Sequence, residues 1–265
     1  MYTKCIIYPY NLGSQSARRL AEGLNTIRVR PNGSYYHRAQ HLVINWGNST
    51  LPRWATPRAI QHMLNTPQNV EIASNKISTF QRLGENIPEW TTDIRTARNW
   101  LATPRFGRKL NAVVCRTLTR ANSGRGIVLA KTPEEVVAAP LYTRYTPKTL
   151  EYRAHVSVRQ GVIDIAEKRR RNGFENNEQA NQYIRSWDNG WVFCREDLNV
   201  PDAVRTVAEG AIHRLGLHFG AVDVGYHPEF GAVVYEVNTA PGLEGQTLIN
   251  YINMFRSYLG NQLQA

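Results

Sequence analysis

The fold of this chain is decided by two strand-like runs, GAVDVGY at residues 220–226 and AVVYEVN at residues 232–238. The residues between them, HPEFG at 227–231, are mostly types that favour turns. The pattern therefore predicts an antiparallel hairpin with a tight loop at 228–231. In that register Tyr226 faces Val233, and Asp223 lies directly opposite Glu236.

The two faces of this predicted hairpin differ in chemistry. One face is apolar and is expected to pack on the core: Val222, Val224, Tyr226, Val233, Tyr235 and Val237. The other carries small and oxygen-bearing side chains: Ala221, Asp223, Gly225, Ala232, Val234, Glu236 and Asn238. Because side chains alternate along a strand, a slip of one residue would bury both carboxylates in the core, which is costly.

Two carboxylates and an amide on one face form a candidate metal site. Residues directly opposite on antiparallel strands lie about 4.5–5.5 Å apart, so Asp223 and Glu236 repel each other unless a cation lies between them. Magnesium prefers one or two carboxylates together with phosphate oxygens. Asp223, Glu236 and Asn238 are therefore its expected ligands. The alternative is a solvated edge hairpin that carries two unrelated acids.

A second strand pair is predicted just upstream, at residues 151–158 and 162–168. A two-residue turn at 160–161 would place Arg153 opposite Lys168. The apolar face then carries Tyr152, Ala154, Val156, Val158, Ile163 and Ile165, and the other face carries Glu151, Arg153, His155 and Lys168. Arg153 and Lys168 would bring positive charge together where a transferred phosphate needs it, while Arg169 points to the apolar side. His155 is either a general base or a hydrogen-bonded structural histidine.

The first part of the chain resembles a small open α/β unit over residues 4–73. Apolar runs at 5–8 and 41–46 have the length of strands, and Ser14 is placed to cap a helix between them. The segment 13–16 lacks the lysine and the glycine spacing of a phosphate-binding loop. It is predicted to be an ordinary strand-to-helix turn.

Between this unit and the strand pairs, the pattern predicts helices at 74–83 and from about residue 93. Strands are predicted within 111–130, around a glycine-rich loop at 119–126, and again at 141–145. Later helices are expected at 201–215 and after Thr247. The stretch 171–189 is polar and has no clear period, which predicts a loop.

Basic residues outnumber acidic ones, 32 to 21, which gives a net charge of +11. This excess favours an anionic partner such as a nucleotide, a nucleic acid or an acidic protein tail. The alternative is that scattered arginines only keep the protein in solution, since only the run at 168–171 is dense enough to form a patch.

Size and composition limit the class of protein. With 265 residues, 42% of them hydrophobic, the chain can bury a real core in one large or two modest domains. Three scattered cysteines argue against a disulfide framework or a zinc site. No apolar run approaches the roughly 20 residues needed to cross a bilayer, and the first residues lack the pattern of a secretion signal. A cytoplasmic protein without a membrane partner is the expectation.

The run YEVNTAPGLEG at 235–245 resembles the metal-binding end of the ATP-grasp superfamily, in which an Asp and a later Glu-x-Asn hold magnesium. Asn-Thr-x-Pro-Gly is similar to the D-alanine–D-alanine ligases, and Pro-Gly-Leu-Glu-Gly to ligases that add glutamate to a ribosomal protein tail. The resemblance covers about residues 74–250. It implies an α+β ATP-grasp fold: a small N-terminal α/β domain at 1–73, then two subdomains at 74–265 that clasp ATP, with a lid at about 104–145.

The resemblance also implies the ligands of ATP and of two Mg²⁺ ions, for which Mn²⁺ can substitute. The metal ligands it implies are Asp223, Glu236 and Asn238. Lys76 and Arg116 match two phosphate-binding lysines, the second being an arginine here. The flexible lid over the triphosphate is matched by Gly124, Arg125 and Gly126, with Arg120 adding charge.

The adenine and ribose contacts follow from the same resemblance. Tyr145 and Thr146 match a hinge strand that reads adenine through its backbone. Arg144 stands near the position where the family often has a glutamate, which leaves only backbone recognition. Glu151 matches the acidic residue that binds the ribose hydroxyls.

The activity that the resemblance implies is a ligation. A carboxylate attacks the γ-phosphate of ATP to give an acyl-phosphate, and an amine then displaces phosphate, with Arg153 and Lys168 as the catalytic residues. The acid and the amine, small molecules or a protein or peptide tail, are left open, with substrate choice expected in the N-terminal unit and at 171–189. Two alternatives remain: a phosphotransferase on the same fold, and a basic nucleic-acid-binding protein with a vestigial ATP site. The second has no recognisable nucleic-acid motif.

Overall fold

Three β-sheets frame the structure, a computed structural model that describes residues 2–107, 111–120, 126–174 and 183–259. The first sheet is parallel, in the order β1-β2-β3, and consists of β1 (Lys4–Pro9), β2 (His41–Trp46) and β3 (Met63–Leu64). Its connections contain α1 (Gln15–Gly23) and α2 (Pro57–Gln61). Ser14 caps α1 by accepting a hydrogen bond from the Ala17 amide, as predicted.

Two short helices lead from the first sheet to the second, α3 (Pro67–Ser74) and α4 (Lys76–Leu83). Asn75 separates them, because its side chain accepts hydrogen bonds from the amides of Ile77 and Ser78 and so caps α4. The predicted helix over 74–83 therefore begins two residues later than expected, since Ser74 ends α3.

The second sheet is antiparallel, in the order β4-β7-β5-β6. Its strands are β4 (Trp90–Thr91), β5 (Val113–Arg116), β6 (Ile127–Ala130) and β7 (Leu141–Arg144). The helix α5 (Ile94–Ala102) buries Ala97, Trp100 and Leu101 in one cluster with Val113 and Tyr142 of this sheet.

The third sheet is also antiparallel, in the order β10-β9-β8-β11-β12. It consists of β8 (Leu150–Ser157), β9 (Gly161–Arg170), β10 (Trp191–Cys194), β11 (Phe219–His227) and β12 (Gly231–Asn238). The helix α6 (Asp202–Arg214) buries Val204, Ala208 and Ile212 against one face. The other face carries the polar side chains of the site. The predicted strands and helices are confirmed here, except that β10 lies just beyond the stretch predicted as a polar loop and was missed.

A separate hydrophobic cluster joins the first sheet to the last helix, α7 (Gly245–Arg256). Ile7 and Trp46 of the first sheet share it with Tyr251 and Phe255 of α7 and with Phe219 of the third sheet. The indole of Trp46 stacks on Phe219, with ring centroids 5.6 Å apart. The N-terminal unit and the third sheet thus share one core, and the division predicted at residue 73 stays a prediction.

The register of the last hairpin confirms one pairing and corrects another. Asp223 pairs with Glu236, as predicted. Tyr226, however, pairs with Ala232 rather than with Val233, and a β-bulge beside Asp223 compensates for the difference. The predicted faces of β12 were therefore partly wrong: Ala232 and Val234 lie in the core, whereas Tyr235 lines the same side as Glu236.

The two-residue turn predicted at 160–161 is wrong. Ser157 pairs with Gly161, so three residues form the turn, and a second bulge follows at His155. Arg153 consequently lies opposite Ala166 instead of Lys168. Because the shift is an even number of residues, Lys168 keeps its predicted face. Ile163, predicted on the apolar face with Ile165, instead packs in the cluster around α7.

Two further observations bear on the expectations from composition. Cys5, Cys115 and Cys194 are free thiols, and the first two are buried. Among the described residues, no helix combines the length and the apolarity that crossing a bilayer requires.

Candidate active site

A cavity of about 900 Å³ opens where α1, the second sheet and the third sheet come together. It brings together most of the site residues predicted from the sequence. Those that line it are Arg116, Tyr145, Thr146, Glu151, Arg153, Lys168, Asp223, Glu236 and Asn238.

The acidic wall is formed by the hairpin of β11 and β12. Asp223 and Glu236 are cross-strand neighbours, and Asn238 pairs with Ala221 two positions away. The bulge turns Tyr235 and Glu236 to the same side. The tyrosine ring fits there because Gly225 has no side chain: a Cβ at Gly225 would lie 2.3 Å from the Tyr235 hydroxyl oxygen.

The two carboxylates have opposite electrostatic environments. Burial raises the pKa of Asp223, but the Arg153 guanidinium outweighs it and brings that pKa to about 2. The guanidinium donates to both Asp223 oxygens, at 2.7 and 2.8 Å. Burial raises the pKa of Glu236 and Asp223 adds to the effect, while Lys76, 3.6 Å away, opposes it. The wall therefore holds buried negative charge that a cation would stabilise.

The donor set fits a hard divalent cation. Asp223, Glu236 and Asn238 offer only oxygen ligands, which Mg²⁺ and Mn²⁺ prefer. Within the described ranges no three His, Cys, Asp or Glu side chains form a metal cluster, so the amide oxygen of Asn238 is needed as the third donor.

Two predicted phosphate ligands stand next to this wall. Lys76 begins α4 and contacts Glu236 rather than lining the cavity itself. Arg116 ends β5 and lines the cavity, and its buried Nε has no hydrogen-bond partner among the described residues. Burial lowers the pKa of Arg116, with Glu236 opposing the shift. A buried donor without a partner is costly, and an anion in the cavity could accept from it.

A lysine that the sequence did not reveal lies beside the acidic wall, just before β8. Lys148 donates to one oxygen of Glu151 at 2.5 Å, and Lys168 donates to the other at 2.5 Å. The Lys148 ammonium also lies over the Tyr235 ring, 4.8 Å from its centroid. The only signal in the sequence was the spacing of three residues between Lys148 and Glu151. Glu151, expected to bind ribose, is thus held by two ammonium groups.

The segment expected to read adenine has its backbone partly engaged. The Tyr145 amide donates to the Ala112 carbonyl at 2.8 Å, and the Tyr145 ring packs on Tyr183. Arg144 pairs with Glu89 at 3.3 Å and donates to the Thr103 carbonyl. These contacts hold its guanidinium against the residues that flank β4 and α5.

The predicted lid is described only in part. Gly124 and Arg125 lie outside the described residues. Gly126 begins the turn into β6, and its carbonyl accepts from the Thr117 amide at 2.8 Å. Arg120 forms an ion pair with Glu71.

The far end of the cavity is formed by α1 of the N-terminal unit, where substrate choice was expected, and by α7 with the residues just before it, for which the sequence predicted no role. The Ser16 hydroxyl accepts from the Leu243 amide at 3.0 Å, and Arg19 donates to the Leu243 carbonyl at 3.2 Å. Arg195 donates to the Thr247 hydroxyl at 2.6 Å and pairs with Asp164. Contacts of this kind join residues far apart in the chain, so no local pattern marks them.

The surroundings of His155 are those of a structural histidine. It is 2% exposed and does not line the cavity. Its Nδ1 lies 3.2 Å from the Tyr251 hydroxyl. Burial lowers its pKa to about 4.

Acid is expected to destabilise the protein through histidines whose rings the fold holds neutral. Burial also lowers the pKa values of His37, His41 and His218. Because the folded state favours the neutral rings, this stability is present above the unfolded pKa of about 6.5 and is lost as the pH falls below it. Protonation linked to His155 alone should lower the free energy of unfolding by about 1.4 kcal/mol at about pH 5.5, compared with neutral pH.

Urea unfolding of the wild type and of His155→Gln at about pH 7.5 and about pH 5.5 checks this. The loss of stability between the two pH values should be smaller in the variant by about the same 1.4 kcal/mol. An equal loss in both proteins would show that His155 is not held neutral by the fold.

Comparison with solved structures identifies the architecture. The ATP-grasp ligase PsnB, complexed with minimal precursor, Mg and ADP, matches with a TM-score of 0.60 at 13% identity, covering 96% of this chain and 96% of that one. A RimK domain protein ATP-grasp from Sphaerobacter thermophilus matches with a TM-score of 0.59 at 13% identity, covering 97% and 99%. The D-alanine–D-alanine ligase from Bacillus anthracis matches with a TM-score of 0.60 at 12% identity, covering 98% and 93%.

At the level of sequence, no family model and no curated protein matches this chain. The structural matches are nevertheless consistent with one another and extend over nearly the whole chain. The chain has the ATP-grasp fold, which confirms the predicted fold class.

Proposed function

We propose that this protein is an ATP- and Mg²⁺-dependent ligase that joins a carboxylate to an amine through an acyl-phosphate. The observation that carries the proposal is the composition of the cavity. The oxygen-bearing side chains Asp223, Glu236 and Asn238 and the cations Arg116, Arg153 and Lys168 line one cavity, in which a nucleotide phosphate and its metal would find both kinds of charge. The ATP-grasp fold supports the same reading, since the neighbours named above include ligases.

The metal would be held by the acidic wall. Bound Mg²⁺ supplies Lewis-acid stabilisation of phosphate oxygens, and the donor set suits Mn²⁺ in the same place. Asp223 keeps lone pairs for a metal while it accepts from Arg153, because each carboxylate oxygen has two. Two ions are expected, and metal titration in the presence of ADP measures how many are bound.

The basic side chains would hold and neutralise the phosphates. Lys76 and Arg116 lie beside Glu236, where a metal-bound triphosphate would need them. Arg153 and Lys168 would stabilise the charge that develops as the γ-phosphoryl group moves to the substrate carboxylate. The described part of the cavity needs no side-chain nucleophile for this chemistry, since the substrate carboxylate itself attacks.

The substrates would enter at the far end of the cavity, between α1 and α7. A peptide is the first class to test, because another structure of PsnB is complexed with a precursor peptide. Free amino acids are the second class, in view of the D-alanine–D-alanine ligase match.

The decisive experiment combines two measurements on the wild-type protein with Mg-ATP and pools of acidic peptides and amino acids. ADP and phosphate release is followed enzymatically, and products are identified by mass. Ligation should give phosphate together with a product lighter by one water than its two reactants. A stable product that carries one extra phosphoryl group, without phosphate release, would instead identify a phosphotransferase.

A further inference from the structure

The Glu151 carboxylate is shared by two lysines that come from different elements. Lys148 precedes β8, and Lys168 lies on β9, next to the pairing of Tyr152 with Glu167. The side chains of Glu151, Lys148 and Lys168 are only 5%, 6% and 14% exposed. Two ammonium groups and one carboxylate leave an excess of one positive charge in a place that little water reaches.

The ratio of two lysines to one carboxylate weakens the attachment of Lys168 to Glu151. In surroundings of low dielectric, one ammonium on one carboxylate forms a tight ion pair. With a second ammonium on the same carboxylate, each lysine feels the attraction of Glu151 and the repulsion of the other lysine. The second lysine therefore lowers the cost of drawing the first away from Glu151.

The two lysines differ in how they are fixed. Lys148 is the more buried, and its ammonium is also held over the Tyr235 ring. Lys168 is the more exposed of the two and lies near the Phe193 ring, 5.5 Å from its centroid, at the cavity. Lys168 is thus the one that can turn toward an anion, while Lys148 stays with Glu151.

We propose that Lys148 is a positioning residue: by sharing Glu151, it leaves the Lys168 ammonium free to move from that carboxylate to the terminal phosphate of the nucleotide. The inference rests on the proposed function for the identity of the anion. It adds a residue that the sequence did not single out, and it assigns that residue a role that acts through Lys168.

The test replaces Lys148 with methionine, which keeps the length of the side chain and removes its charge. Glu151 should then bind Lys168 alone. Turnover of Mg-ATP is expected to fall about tenfold, less than for direct loss of a transition-state contact. Affinity for a non-hydrolysable ATP analogue should fall several-fold, and affinity for AMP, which lacks the β- and γ-phosphates, should be unchanged.

A double variant separates positioning from packing. Glu151→Gln removes the charge that captures Lys168, so Lys148→Met/Glu151→Gln should recover the preference for the ATP analogue over AMP that Glu151→Gln shows alone. The exposed Lys4→Met serves as a matched control without effect, and thermal melting confirms that each variant is folded. A loss in Lys148→Met that the double variant does not recover would reduce Lys148 to a packing residue.

The binding measurements also distinguish failure of the inference from failure of the proposed function. If the wild type binds nucleotide but forms no ligation product, the affinities alone still decide the role of Lys148. An unchanged preference for the analogue over AMP in Lys148→Met would overturn that role and leave the ligase proposal standing. A wild type that binds neither nucleotide would overturn both.

Discussion

Replacing Glu236 with alanine is expected to abolish Mg²⁺-dependent ATP turnover while the protein stays folded. Glu236 supplies one of the two carboxylates of the proposed metal site, and its pairing with Asp223 places it on the side of the hairpin that lines the cavity. Loss of metal-assisted charge stabilisation is worth several kcal/mol, so a drop of at least about a thousandfold is expected. ADP formation at saturating Mg²⁺ measures it.

The fold should survive because burial already disfavours the charge of this carboxylate, as its raised pKa indicates. Glu229→Ala is the matched control: it changes an exposed glutamate in the turn of the same hairpin and should leave turnover unchanged. ADP formation by Glu236→Ala at the wild-type rate would remove Glu236 from the metal site.

Replacing Lys168 with alanine is expected to lower turnover by about 10²–10³-fold, the usual effect of losing one electrostatic contact to the transition state. Nucleotide affinity should fall less, because Lys76 and Arg116 would still hold the phosphates. The neighbouring residue gives the control. Arg169 lies on the other face of β9, where it pairs with Glu167 at 3.2 Å and donates to the Asp197 carbonyl.

Arg169→Ala should therefore leave turnover unchanged and lower stability only weakly, because its ion pair with Glu167 is partly exposed to water. Steady-state kinetics and urea unfolding of the two variants separate the effects. If Arg169 were essential for turnover and Lys168 dispensable, the catalytic face assigned to β9 would be the wrong one.

The pairing of Asp223 with Glu236 could be predicted because both faces of the hairpin carry a strong pattern. The details of the turn could not, since a bulge adds one residue without leaving a mark on composition. The prediction therefore placed Tyr235 in the core, whereas it lines the cavity. On β9 the turn was wrong by an even number of residues, so Lys168 kept the correct side.

Other parts of the site depend on contacts that no local pattern contains. Arg195 meets Thr247 across 52 positions of sequence, and Ser16 meets Leu243 across 227. Lys148 lies in a short connection whose conformation is set by the strands on either side. Such residues become visible only once the three sheets are assembled.

The hydrophobic cluster shared by the first sheet and α7 has a consequence for the order in which the chain folds. A ribosome delivers Ile7 and Trp46 long before it delivers Tyr251 and Phe255, which cover them in the finished protein. The nascent N-terminal unit therefore emerges with an apolar face that has nothing to pack against, a surface prone to aggregation and suited to chaperones. Its final packing waits for α7, so the first sheet reaches its native surroundings late, although it is synthesised well before that helix.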